Sequence, residues 1–142
     1  MIKAVYAFAA MGMAVAPISA SVAAPGQDVI GTLMSKADEL FGDKGFKPTG
    51  WQQRGELKQG GEATFQISLK AGTNALVGMC NTDCSNIDMY ITDSSGTAVD
   101  QDVEDDDFPI VMLTQSGNFN VRIVMKTCSE ARCEFGVKGY RQ

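Results

Sequence analysis

The chain has 142 residues, a formal charge of −5, four cysteines and no histidine. An acidic chain lacks the basic footprint that nucleic-acid phosphates require, and its charge argues against peripheral binding to an anionic membrane. Without histidine there is no histidine-dependent triad, no HExxH metalloprotease site and no histidine-ligated zinc.

The first 23 residues have the layout of a secretory signal peptide. Met1-Ile2-Lys3 is a minimal basic start, Ala4 to Ala16 is uncharged and apolar, and small residues from Ser19 to Ala24 follow Pro17. The apolar run is shorter than the ~20 residues of a membrane-spanning helix. Cleavage is expected after Ser21-Val22-Ala23, with Ala20 as a second option. It leaves residues 24–142, one domain's worth of chain, and removal of Lys3 takes the formal charge to −6. No stable membrane span is expected after cleavage, and the destination is periplasmic or secreted.

Residues 24–54 read as a helix and linker. Val29, Ile30, Leu33, Met34, Ala37, Leu40 and Phe41 recur at spacings of three and four, which predicts a helix over 28–41. Asp28 is a suitable N-cap and Gly42 a suitable stop. The apolar stripe is expected to pack on the domain, with a partner protein as the rival. A glycine-rich polar connector then runs from Gly42 to Gly55. Its Trp51 is either a cover for one end of the core or an exposed ligand platform.

From residue 56 onward the period is two. Phe65, Ile67 and Leu69 alternate with polar residues, as do Ile87, Met89 and Ile91, while Phe119, Val121, Ile123 and Met125 alternate with Asn120, Arg122, Val124 and Lys126. Ala75, Val77 and Met79 form another face with Leu76 opposing it. Short runs at 110–113 and 134–138 add strands. Turn residues at 71–74, 93–96 and 115–118 separate the runs. About seven to eight short strands predict an all-β sandwich over 55–142, with a barrel as the rival.

The cysteines support export, because disulfides persist in oxidising compartments. Cys80–Cys84 and Cys128–Cys133 is the preferred pairing, each closing a short turn-like loop. The rival joins the two loops to each other. A four-cysteine zinc site fits poorly, since its spacing is not Cys-x₂-Cys.

The densest polar feature is 100–107, in which six of eight residues are acidic. Its first reading is a solvated acidic loop. Its second is a calcium site drawing on Asp100, Asp102, Asp105 and Asp106, with Asp88 nearby, because calcium accepts several carboxylate oxygens. A third is an acidic docking surface. The stretch does not match the EF-hand pattern, and some of its carboxylates, the Asp105-Asp106-Asp107 triplet among them, are candidates to cap turn amides instead of holding a metal.

Between Gly55 and Gly139 the chain resembles the bacterial pre-peptidase C-terminal domain family. The resemblance rests on Gly55-Glu56-Leu57, Glu62-Ala63-Thr64-Phe65, Asn86-Ile87-Asp88-Met89-Tyr90-Ile91, Asp106-Asp107-Phe108-Pro109 and Gly117-Asn118-Phe119-Asn120-Val121. It implies a jelly-roll-like β-sandwich, a non-catalytic role beside an exported enzyme, and calcium-dependent stability. Asp88 matches the second aspartate of the family's paired-aspartate strand. Asn86 replaces the first, and Asn120 replaces an aromatic residue of a later strand. The sequence reads as a signal, a helix and one module, and no protease domain is expected beside them.

No Gly-x-Ser-x-Gly elbow or phosphate-binding loop is present, and no enzymatic activity is expected. The expected function is an exported, non-catalytic binding module stabilised by calcium, with Trp51, Tyr90 and Arg122 as candidate contacts. Its partner would be another exported protein or an extracellular polymer. The alternative is a structural or assembly protein of the periplasm or cell surface.

Overall fold

The computed structural model describes residues 27–142, so the expected signal peptide and cleavage site lie outside the described residues. The chain forms helix α1 (Val29–Gly42), then strands β1 (Lys47–Leu57), β2 (Glu62–Leu69), β3 (Asn74–Cys80) and β4 (Cys84–Asp93). These are followed by β5 (Ala98–Asp102), β6 (Ile110–Leu113), β7 (Gly117–Cys128) and β8 (Cys133–Arg141).

The strands make two four-stranded sheets, ordered β1-β8-β3-β6 and β2-β7-β4-β5. All pairings are antiparallel. The pairs β1–β8, β2–β7, β3–β6 and β4–β5 are the rungs of one long hairpin that closes at the β4–β5 turn. Rolling that hairpin up adds β3–β8 and β4–β7, which is the jelly-roll arrangement of a sandwich.

The closing turn has its own chemistry. The Asp93 Oδ1 accepts from the Ser95 N–H at 2.9 Å, the Ser95 hydroxyl at 2.6 Å and the Thr97 N–H at 2.9 Å. Gly96 takes a φ of +86°, which a side chain would resist.

The core lies between the sheets. Ile67, Ile87, Met89, Ile91, Val121, Ile123 and Met125 alternate inward from one sheet to meet Leu76, Val111, Phe135 and Val137 from the other. A second cluster lies on the far face of the β1-β8-β3-β6 sheet. There Ile30, Met34, Ala37 and Phe41 of α1 cover Ala75, Val77, Met79 and Tyr140. This accounts for β3, whose residues are all buried. One side of β3 faces the sandwich core and the other faces the helix. The apolar stripe of α1 is therefore packed on the domain.

Asp28 caps α1 as expected, its Oδ1 accepting from the Gly31 N–H at 2.9 Å. Gly42 is the last helical residue, and the turn with positive φ comes later, at Gly45. Two stretches differ from the sequence reading. Residues 47–54, read as connector, are the start of β1, held in the sheet by β8. Residues 98–102, partly read as acidic loop, form edge strand β5 paired with β4, so Asp100 and Asp102 are strand residues. Both are edge strands with polar sequences, where the apolar alternation that marks a half-buried strand is weak.

Both bridges form within their loops, Cys80–Cys84 and Cys128–Cys133. Each joins a strand of one sheet to a strand of the other, so they tie the sheets together as well as shaping loops. They lie at the same end of the sandwich, where Cys84 faces Cys128 across β4 and β7.

Candidate ligand-binding cleft

Strands β1 and β2 are the edges of their two sheets on the same side of the sandwich. The seam between them is open, and a bulge in β1 shapes it. Pro48 faces Tyr140 and Gln52 faces Lys138, so Thr49, Gly50 and Trp51 stand opposite the single residue Gly139. Gly50 accommodates the excursion at a φ of +90°. The Thr49 hydroxyl donates to the Gly139 carbonyl at 3.3 Å and accepts from the Trp51 N–H at 3.4 Å. Bulges on edge strands re-aim side chains, and this one carries Trp51 across the seam. Its indole Nε1–H donates to the Gln66 carbonyl of β2 at 3.1 Å.

Trp51 is half-buried and packs against the main core. It also lines two cavities. The first, about 430 Å³, is bounded by Gln66, Ser68, Ser94, Asn118 and Asn120. The second, about 570 Å³, is bounded by Lys47, Thr49, Lys70, Asn74 and Arg141. Trp51 and Ser68 belong to both linings, so the cavities adjoin. Each has the size of a small-molecule site, ~300–1,000 Å³. Within the first, the Ser68 hydroxyl donates to the Asn118 Oδ1 at 2.5 Å, and the Asn120 amide donates to the Asp93 carbonyl at 3.4 Å.

The structure also brings together Tyr90 and Arg122, which face each other across β4 and β7. The Arg122 guanidinium lies 4.1 Å from the Tyr90 ring centroid and pairs with Glu62 at 3.2 Å. Neither lines the cleft. Their interactions with each other and with Glu62 and Asp88 join strands β2, β7 and β4. Sequence reasoning chose Trp51 but missed the amides and cations around it. Gln66, Ser68, Asn118 and Asn120 were visible as the polar positions of alternating strands, but which strand lies opposite which is a property of the fold.

The expected calcium ligands are distributed differently. The Asp102 Oδ1 accepts from the Glu104 N–H at 3.1 Å and its Oδ2 from the Ile110 N–H at 2.9 Å. The Asp106 Oδ1 accepts from the Phe108 N–H at 3.0 Å, and the Asp100 Oδ1 from the Gln101 N–H at 2.8 Å. Backbone amides thus take up oxygens of Asp100, Asp102 and Asp106, including both of Asp102. Among the described residues no group of three or more His, Cys, Asp or Glu side chains is placed to hold a metal ion. The residues do not fit a ready-made calcium shell.

Asp88 stands apart from these. It is 3% exposed, and its Oδ1 has no hydrogen-bond partner. Its Oδ2 accepts from the Tyr90 hydroxyl at 3.4 Å. Burial pushes its carboxyl above the ordinary carboxylate range, and the charges of Asp102 and Asp105 push the same way. Lys126 and the Tyr90 hydroxyl oppose the shift without cancelling it.

No protein-family model matches the chain, and no curated protein matches it.

Proposed function

We propose that this chain is an exported, non-catalytic binding module and that its ligand enters the Trp51 cleft. The observation carrying this reading is the β1 bulge, which sets an aromatic ring between two adjoining cavities at an open sandwich seam. Two disulfides favour an oxidising compartment. Among the described residues no helix is long and apolar enough to cross a membrane. The jelly-roll order accords with the fold of the pre-peptidase C-terminal domain family, and kinship with that family is part of the proposal. The assembly alternative has less support, because the helix stripe that would have met a partner is buried on β3 and β8.

Calcium stabilisation is a separate proposal. It is favoured by the unpartnered Asp88 Oδ1 and Asn86 Oδ1, and no coordination geometry is assigned to it.

Trp51 is the only tryptophan in the chain, so its emission reports on the cleft. A panel of soluble polymers (a collagen peptide, a neutral glucan and an acidic polysaccharide) is titrated against it. A saturable change with at least one polymer is expected, with calorimetric binding of that polymer lost in Trp51→Phe. If binding leaves both the emission and amide exchange at Gln66 and Asn118 unchanged, the site is elsewhere.

A further inference from the structure

We propose that the Trp51 cleft takes an acidic oligosaccharide, with sugar rings on the indole and their carboxylate or sulfate groups toward Lys47, Lys70 and Arg141. This rests on the reading of the cleft as the binding site and assigns its ligand class.

The two cavities differ in chemistry. The first is bounded by neutral donors and acceptors, Gln66, Ser68, Asn118 and Asn120, and by Ile67 and Phe119, beside the indole. A sugar needs this combination. Its C–H face stacks on an aromatic surface, and its hydroxyls require amide and hydroxyl partners that both donate and accept. The second cavity carries three cations, and no Asp or Glu side chain lines either cavity. In a chain of formal charge −5 that is a local reversal of sign. Among the described residues these cations make no ion pair. The ion pairs among the described residues use Arg54, Arg122 and Lys138. Free lysine and arginine groups facing a cavity are recognition elements for carboxylate or sulfate, and charge-assisted hydrogen bonds are the stronger kind.

Neither half alone selects this ligand. A neutral glycan would leave the cationic half unmatched, and a small anion would leave the indole and amides unused. An acidic peptide would match the charge and could pair with a free strand edge, but strand addition uses backbone groups and would leave the Gln66, Ser68, Asn118 and Asn120 side chains around the indole unused. The adjoining cavities fit consecutive units of one chain.

The test uses the oxidised mature protein with three probes: a galacturonic acid hexasaccharide, a glucose hexasaccharide and a hexaglutamate peptide. Calorimetry and Trp51 emission are read together. The acidic hexasaccharide is expected to bind saturably and to weaken about tenfold, one decade of Kd, in Lys70→Gln/Arg141→Gln. Its binding should also weaken as salt rises and screening shortens. Both substitutions are outside the main core, and unchanged thermal unfolding confirms that the variant is folded. Equal binding of the glucose hexasaccharide, indifferent to the double substitution, overturns the anionic assignment and leaves the cleft standing as a binding site. Binding of hexaglutamate with neither sugar overturns the glycan assignment and likewise leaves the cleft. If no probe changes either signal, the proposal is overturned, and the broader polymer panel decides separately whether the cleft binds anything.

Discussion

Asp88 concentrates the conflict between burial and charge in a single carboxyl. Its folded-state pKa is raised, chiefly by burial. The folded protein therefore holds this proton more tightly than the unfolded chain does, and stability falls as pH rises from the ordinary carboxylate value through the folded one. The cost is absent below the unfolded pKa and fully present above the folded one. Asp88→Asn removes the charge at similar size. It is expected to raise the melting temperature at pH 7, with the gain disappearing in acid. Thermal unfolding of both proteins across pH 3–8, an interval chosen to span the ordinary carboxylate value of ~3.9, measures this. An equal gain at every pH would locate the effect in packing and not in ionisation. The same comparison tests calcium, because specific binding to the folded state raises its stability by linkage. A saturable rise with calcium but not magnesium, lost in Asp88→Asn, supports the calcium proposal. No shift at millimolar concentrations retires it. The acidic stretch was conspicuous in the sequence, but a run of aspartates does not reveal which oxygens the backbone amides will occupy. Capping by the 105–107 triplet was legible, and Asp106 does accept from the Phe108 N–H, whereas Asp102 as acceptor for the distant Ile110 N–H was not.

Helix α1 shows what a sequence period can and cannot convey. Spacings of three and four picked out Val29, Ile30, Leu33, Met34, Ala37, Leu40 and Phe41, because side chains at those offsets share one side of a helix. In the structure α1 buries Ile30, Met34, Ala37 and Phe41, half-buries Val29 and Leu33, and leaves Leu40 exposed. Its docking partner was hidden. The Ala75-Leu76-Val77 run looked like a strand with one odd residue, and only the three-layer arrangement explains its burial on both faces. The lock is polar as well as apolar. The Asp38 Oδ1 accepts from the Lys138 ammonium and from the Tyr140 hydroxyl, each at 2.7 Å, and the Tyr140 ring stacks on Phe41 with centroids 5.0 Å apart. Burial opposes the Asp38 charge, yet those two donors outweigh it and hold its carboxyl below the ordinary range. Burial and the same aspartate hold the Tyr140 phenol well above its ordinary range. Asp38→Ala leaves the buried Tyr140 hydroxyl without its acceptor and Lys138 without its counter-ion. The expected loss is about 1–3 kcal/mol, the cost of stranding a buried donor, with faster amide exchange confined first to α1. Unchanged exchange across the helix would show that the apolar face alone docks it. Close approach matters too. A Cβ on Gly136 would lie 2.7 Å from the Ile30 Cγ2 and 2.8 Å from the Met34 Cε, so the helix rests where the sheet lacks side chains.

Across the whole molecule, the jelly roll joins residues far apart in sequence, and such topologies form slowly because loop-closure entropy precedes the contacts that offset it. Alternating runs made the inner faces readable in advance, whereas strands β1 and β5 and the partnering of all strands depended on non-local pairing. The disulfides counter the weakness of this topology at one end. Cys80–Cys84 joins β3 to β4, and Cys128–Cys133 joins β7 to β8, so both cross from sheet to sheet. The two loops also touch. The Ser129 N–H and hydroxyl both donate to the Asp83 carbonyl, at 2.9 and 3.1 Å. Each bridge closes a short loop, for which the chain-entropy model gives about 2 kcal/mol. Removing either pair, as Cys80→Ala/Cys84→Ala or Cys128→Ala/Cys133→Ala, is expected to cost about that amount in urea unfolding. Removing both is expected to depart from additivity, because mutated sites in contact couple by ~0.5–3 kcal/mol. Strict additivity would mean that the loops act independently despite the Ser129–Asp83 contacts. An unchanged midpoint in both single-bridge variants would mean that the two sheets hold together at this end by packing alone, around Phe135 and Met125.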